Sequence, residues 1–227
     1  MNNGGGQLMK FKAILFDAYG TLFDVHTVIE TCEEYYPDKG TKISQLWRQK
    51  QIEYAMQSQI MGRYVDFYEL TKKSLRYAVD VVDEGITPGS EEALLHAYSR
   101  LNLYSEVKQV LAYLKEKGYL LAIFTNGPKH MINPLVAHHR LAPLFDDVIS
   151  VDEIKQFKPA MASYHYAANK LEVERDEVLF LSSNPWDIAG AKNYGFSTVW
   201  VNRHHQVPEH RELTPNRVIH DLTNLVK

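Results

Sequence analysis

Short apolar runs separated by helical stretches constrain this chain more than any other feature it has. The runs are Ala13–Phe16, Leu120–Phe124, Val148–Val151, Val178–Leu181 and Thr198–Val201, each rich in branched or aromatic residues. Helical patterns accompany them at Val107–Lys117, Met131–Arg140, Ala160–Leu171 and Ile188–Tyr194. Strands alternating with helices line up in parallel, and the helices cover both faces of the sheet. The expected core is therefore α/β, a Rossmann-like parallel sheet built from residues 11–23 and 102–227. Residues 24–101 have another texture. They hold amphipathic segments at Val28–Tyr36, Ser44–Met61, Phe67–Val82 and Glu91–Arg100, broken at Pro37–Gly40, Gly62 and Gly85–Gly89, with no strand-like run. This predicts an all-helical unit inserted just after the first strand.

Ligands of open parallel sheets sit beyond the carboxyl ends of the strands. The polar residues at those ends are the candidates for chemistry. The first strand delivers Asp17, then Tyr19, Gly20 and Thr21; "LLAIFTNG" delivers Thr125 and Asn126. "KQFKPAMASY" delivers Lys158 and Tyr164, and "VLFLSSNPWD" delivers Ser182, Ser183, Asn184 and Asp187. If the strands are neighbours, these groups converge. Each also has a plain structural reading. Asp17 could close a turn, Lys158 could be a solvated loop lysine, Asp187 could cap a helix starting near Pro185, and Arg48 could be a surface residue paired with Glu53.

Composition excludes several classes of function. The net charge of −3, with no basic run, provides no footprint for nucleic acid. No apolar stretch is long enough to cross a bilayer. The opening MNNGGGQLMK lacks an apolar signal core and reads as a flexible leader over residues 1–10, with Met9 as an alternative start. A single cysteine, Cys32, excludes an intramolecular disulfide and fits a reducing cytoplasm. Its helical surroundings suit a buried, inert thiol. The pairs His138–His139 and His204–His205 have no partners at metal-ligand spacing, and adjacent side chains point apart, so no metal site is expected.

The set "DAYGTL", "FTNG", "KP" and "SSNPWD" resembles the haloacid dehalogenase superfamily and, within it, the L-2-haloacid dehalogenases. The resemblance runs from about Phe11 to Leu222, and "LWRQKQIEY" and "SSNPWDIAGAKNYGF" carry its narrow part. It implies that the helical insertion is the family's cap domain. Phosphatases of the superfamily place a second aspartate two residues after the nucleophile, to protonate a leaving alcohol, and bind Mg²⁺. Here that position is Tyr19. A halide departs as an anion and needs no proton, so a lone carboxylate suffices where water is excluded.

The resemblance implies hydrolysis of a small L-2-haloacid to halide and the D-2-hydroxy acid, without a cofactor, by a homodimer. Asp17 would attack C2. Lys158 would hold Asp17 ionised, and Thr21 and Ser182 would aim it. Thr125, where most of the family has serine, and the Asn126 N–H would bind the substrate carboxylate. Asn184 and Asp187 would position the hydrolytic water, with Asp187 also able to pair with Lys158. Arg48 would receive the halide, and Tyr164 would belong to the same catalytic set. Tyr19, Gln49, Ile52, Phe67 and Trp186 would form a mostly apolar wall. Two other readings stand beside this one. A Mg²⁺-dependent phosphatase or phosphonate hydrolase is opposed by Tyr19 and by the lone acid at Asp187; a catalytically silent binding module is opposed by the complete polar set.

Overall fold

The structure is a computed structural model and describes residues 10–209 and 211–226. The leader proposed for residues 1–10 lies outside them except for Lys10. Six strands form one sheet: β1 (Ala13–Phe16), β4 (Leu120–Thr125), β5 (Asp147–Ser150), β6 (Val178–Ser182), β7 (Ser197–Val201) and β8 (Arg217–Ile219). Their spatial order is β5-β4-β1-β6-β7-β8, and every pairing is parallel. The helices that return the chain are α5 (Val107–Glu116), α6 (Lys129–His138), α7 (Met161–Lys170) and α8 (Pro185–Tyr194). A short α9 (Thr223–Val226) follows β8.

Strand order explains where the site must be. β1 is central. From it the chain builds β4 and β5 on one side, then crosses back to build β6, β7 and β8 on the other. The order reverses between β4 and β6, with β1 at the reversal, and a crevice opens above such a point. Asp17 extends β1 by one residue, its N–H donating to Leu181 O at 2.9 Å. The residues of β1, and those of β6 up to Leu181, are apolar and almost wholly buried, as strands covered on both faces require.

Four helices lie between two short strands, β2 (Phe23–Asp24) and β3 (Asn102–Leu103), which pair antiparallel. They are α1 (Ile29–Tyr35), α2 (Gly40–Ile60), α3 (Phe67–Asp80) and α4 (Pro88–Tyr98). A buried polar network ties three of them together. Trp47 Nε1 donates to Thr71 O at 2.9 Å, Gln51 Nε2 donates to Thr71 Oγ1 at 2.9 Å, and Tyr98 OH donates to Gln51 Oε1 at 2.9 Å. Among the described residues, no helix is long and apolar enough to cross a membrane.

Three helices start earlier than their apolar periodicity predicts, because start signals resemble breaks. Pro88 opens α4 behind Thr87, whose hydroxyl accepts from the Ser90 N–H in a capping box. Pro185 opens α8, three residues before Ile188. Proline suits a first helical position, where its missing N–H costs nothing. Gly40 opens α2, four residues before Ser44. β2, β3 and β8 are two or three residues long and leave no periodicity to read.

Aromatic rings pack beneath the crevice. Phe180 lies edge-on to Phe124 (6.0 Å between centroids) and to Tyr164 (6.1 Å), and Tyr164 lies edge-on to Phe196 (6.0 Å). Phe180→Ala should lower unfolding free energy by about 3–5 kcal/mol, the range for opening a large cavity in a packed core. Urea denaturation followed by circular dichroism measures this; a loss below about 1 kcal/mol would mean that the layer collapses around the gap.

Candidate active site

The loop after β1 folds back on its own acid. The N–H groups of Thr21, Leu22 and Phe23 all meet Ala18 O, at 3.2, 2.9 and 3.1 Å. That turn brings Thr21 Oγ1 to 2.9 Å from Asp17 Oδ2, to which it donates. The Ser183 N–H donates to Thr21 Oγ1 at 2.8 Å and fixes the hydroxyl from the opposite side. Gly20 makes the turn possible. Its φ is +91°, and a Cβ there would stand 2.9 Å from Ser183 Oγ.

Lys158 is the centre of the charge arrangement. Its Nζ donates to Asp17 Oδ1 at 2.9 Å, to Asp187 Oδ2 at 2.6 Å and to Phe124 O at 3.0 Å, and its side chain is fully buried. All three ammonium hydrogens are therefore used. The backbone is held as well: the Lys158 N–H donates to Asn126 Oδ1 at 2.8 Å, and Asn126 Nδ2 donates to Lys158 O at 3.3 Å. Asp187, in the first turn of α8, accepts from Tyr164 OH at 2.8 Å and from Ser182 Oγ at 3.2 Å. Burial opposes charge on Lys158, but Asp17 and Asp187 outweigh it and push the ammonium above its ordinary value. Burial pushes Asp187 up to about 6, with Lys158 opposing and the Asp17 charge adding. Burial and the Asp187 charge hold the Tyr164 phenol far above its usual range, so it stays a donor.

The second oxygen of Asp17 meets the helical insertion indirectly. Asn184 Nδ2 donates to Asp17 Oδ2 at 2.9 Å, while Asn184 Oδ1 accepts from Arg48 Nη2 at 3.4 Å. Asn184 occupies the N-cap position of α8, yet its side chain makes no capping bond. It is turned to the site instead. Arg48 Nη2 also donates to Tyr19 O at 3.1 Å, and its Nη1 to Gln51 Oε1 at 3.3 Å. Arg48, half-buried on α2, thus closes the crevice from above.

Two placements differ from the expected ones. Ser182 does not bond Asp17: as the last residue of β6 it donates to Asp187, and it accepts from the Asn184 N–H at 3.1 Å. It orients the second acid and the start of α8, not the first acid. Gln49 is exposed and does not contribute to a buried wall. Helical geometry explains why, since Gln51, three residues after Arg48, shares its face and Gln49 does not. Thr125 is fully buried, its Oγ1 accepting from the Gly127 N–H at 3.0 Å. Tyr19 and Phe67 are buried side by side, 6.4 Å between ring centroids, and Ile52 and Trp186 are half-buried.

Sequence reasoning missed four contributors. Gln51 holds Arg48, Tyr98 stacks on Tyr19 at 5.7 Å, and Phe157 packs edge-on to Phe67 at 6.1 Å. Arg203, two residues past β7, donates from Nη2 to Thr21 O at 2.8 Å and pairs with Glu106 at 2.8 Å. The rule that polar residues at strand ends matter points to Arg203 once it is applied to the fifth apolar run.

The donor set does not fit a hard divalent cation. The Lys158 ammonium occupies the gap between the two carboxylates, and a phenol stands two residues beyond Asp17. Elsewhere, His204 faces His26 at 6.5 Å and His205 faces His220 at 4.3 Å, so that pair turns to separate neighbours. His138 and His139, by contrast, do not point apart: their rings meet edge-on with centroids 4.7 Å apart, and His139 Nε2 lies 2.8 Å from Leu101 O. Among the described residues, no group of three or more potential ligands is arranged to hold a metal.

Comparison with known proteins identifies what the chain is similar to. Residues 11–195 match the model of the haloacid dehalogenase-like hydrolases. The (S)-2-haloacid dehalogenase of Pseudomonas sp. (strain YL) is 41% identical over 216 residues, 95% of this chain and 93% of that protein. That of Xanthobacter autotrophicus is 44% identical over 211 residues, 91% of this chain and 81% of that protein. A solved structure of the Xanthobacter autotrophicus L-2-haloacid dehalogenase, with chloropropionic acid covalently bound, superposes with a TM-score of 0.87 at 38% identity, covering 95% of this chain and 96% of that one.

The packing of α8 against Tyr164 yields a test of the site's construction. A Cβ at Gly190 would stand 2.5 Å from Tyr164 OH and 2.6 Å from Pro159 Cβ. Gly190→Ala should therefore push the phenol off Asp187 and cost about 1–3 kcal/mol of stability. An unchanged urea midpoint would show that α8 can stand away from α7 without loss.

Proposed function

The chain belongs to the haloacid dehalogenase-like hydrolases, and from that membership we propose that it hydrolyses L-2-haloalkanoic acids to D-2-hydroxy acids and halide. One observation carries this reading above the others: a buried carboxylate at the end of β1, Asp17, is held by Lys158, Thr21 and Asn184, and two residues beyond it a phenol takes the place of a second acid. Such a group can attack carbon directly. It has no neighbour suited to protonate an alkoxide leaving group, and a departing halide asks for none.

The reaction proceeds in two steps. An Asp17 oxygen forms a bond to C2 from the side opposite the halogen, and the carbon–halogen bond breaks with its electron pair leaving on the halide. Arg48 receives the halide; a guanidinium spreads its charge and suits a large, soft anion. Thr125 and the Asn126 N–H hold the substrate carboxylate, which fixes C2 in line with Asp17. Water then adds to the Asp17 carboxyl carbon, the ester bond breaks, and the hydroxy acid leaves with one proton from that water. Asn184 and Asp187 hold the water, and a carboxylate raised to about 6 is a competent base for the remaining proton near neutral pH. Only the first step touches C2, so its configuration inverts once.

Residues 24–101 act as a cap that brings Arg48, Phe67 and Tyr98 over the carboxylate and excludes bulk water. The resemblance further supports a homodimer working in the cytoplasm, which size-exclusion chromatography with light scattering and cell fractionation would test.

Halide release from L-2-chloropropionate in the presence of EDTA tests the reaction, beside a chromogenic phosphate ester with Mg²⁺. Release with the first and no turnover of the second is expected; the reverse would favour a phosphatase. A single turnover with excess enzyme in ¹⁸O-water tests the ester. The first product should carry unlabelled oxygen, and Asp17 should acquire the label. Labelled oxygen in the first product would reduce Asp17 to a base.

Acid should switch the enzyme off. Because burial raises Asp187 to about 6, it is protonated below that pH and charged above it. Once protonated, it no longer shares Lys158, and the ammonium is left to Asp17 alone. The turnover number should fall as pH drops through about 6, and a profile flat to pH 5 would remove Asp187 from the step that limits turnover.

A further inference from the structure

We infer that the Tyr19 hydroxyl donates a hydrogen bond to the substrate carboxylate, completing with Thr125 an anion site above Gly127. The inference rests on the haloacid reading and assigns Tyr19 a polar task within it, in place of a share in an apolar wall. The motivating fact is an orphan. Tyr19 is 3% exposed, and its hydroxyl is a buried polar atom without a hydrogen-bond partner. Buried hydroxyls are almost always paired, and one left unpaired in a closed site calls for a ligand.

The surroundings say which ligand. Tyr98 and Phe67 cover the ring with aromatic surface. Asp17 is no partner: its oxygens are engaged by Lys158, Thr21 and Asn184. What the hydroxyl faces is the Gly127 loop. The point where a side chain at 127 would begin lies 3.3 Å from Tyr19 OH and 3.5 Å from Thr125 Oγ1. Thr125 Oγ1 accepts from the Gly127 N–H, which leaves its own hydrogen to donate. Both hydroxyls therefore border the same stretch of the Gly127 backbone, against which glycine lets the phenol ring pack closely, its Cε2 3.1 Å from that point. An acceptor with two oxygens, carrying negative charge, matches them; a carboxylate is such a group. Burial holds the phenol well above its ordinary range, so it remains a neutral donor. Arg48 bonds Tyr19 at its backbone oxygen and not at the hydroxyl.

Propionate isolates the carboxylate site, and bromide isolates the halide site. Tyr19→Phe removes one unpartnered atom and keeps the ring packing, so its melting temperature should not fall. Propionate binding, measured by calorimetry, should weaken about tenfold or more, the size expected for one hydrogen bond to a charged group. Inhibition of halide release by bromide should be unchanged. Gly127→Ala, whose Cβ would stand 3.1 Å from Tyr19 Cε2, keeps the phenol but forces it aside and should weaken propionate likewise. Unchanged propionate affinity in Tyr19→Phe would overturn the inference, and so would weakened bromide with unchanged propionate, which would turn the hydroxyl toward the halide. Wild-type protein that binds propionate but releases no halide from L-2-chloropropionate would overturn the reaction and leave the anion site standing.

Discussion

A lysine ammonium buried between two carboxylates is the interaction on which the rest depends. Removing ions from water costs far more than most folds can offset, unless each ion is paired and every hydrogen-bonding site is filled. Here the accounts are filled nearly completely. Lys158 uses all three hydrogens, on Asp17, Asp187 and Phe124 O. Asp187 adds Tyr164 and Ser182, and Asp17 adds Thr21 and Asn184. Arg48 adds the second positive charge, one residue removed through Asn184. Two carboxylates and two cations make a locally neutral cluster in which Lys158 and Asp187 are fully buried.

That cluster explains features that otherwise look unrelated. Gly190 exists so that Tyr164 can come close enough to α8 to reach Asp187. Asn184 forgoes the capping bond usual for its position, and α8 begins with a proline, whose absent N–H lightens the loss. The aromatic layer of Phe124, Phe180 and Phe196 fills the floor and keeps water from the ions, and the ammonium itself lies 4.8 Å from the Phe124 ring. Positioning of this kind, completed before substrate arrives, is how a site avoids reorganising its dipoles during reaction.

The core was largely legible because it is covered on both faces. Ala13–Phe16 and Val178–Leu181 are unbroken apolar runs, and the rule for strand ends then identified Asp17, Lys158, Thr125 and Asn184. What stayed hidden depends on distances that sequence does not carry. Ser182 is one residue from the turn, and the resemblance assigns it to Asp17; that it meets Asp187 instead is set by the start of α8. Gln49 and Gln51 differ only in helical phase, and a polar stripe on α2 does not reveal which side faces inward. Tyr98 and Phe157 arrive from distant parts of the chain and look like ordinary core aromatics. Arg203 was readable by the same strand-end rule, since it follows the apolar run of β7.

The two-residue ribbon of β2 and β3 has a consequence for chain topology. Phe23 pairs with Leu103, so the backbone departs toward the helical insertion and returns from it at neighbouring points. Everything between is a closed loop tied at its neck. The sheet can then form with the ends of that loop already together, and the entropy of joining them grows only slowly with what the loop contains. A chain built this way can exchange the whole excursion for a longer, shorter or differently folded one while the strand order of the sheet stays the same. The carboxylate stays at the strand end, and what lies over it becomes free to vary.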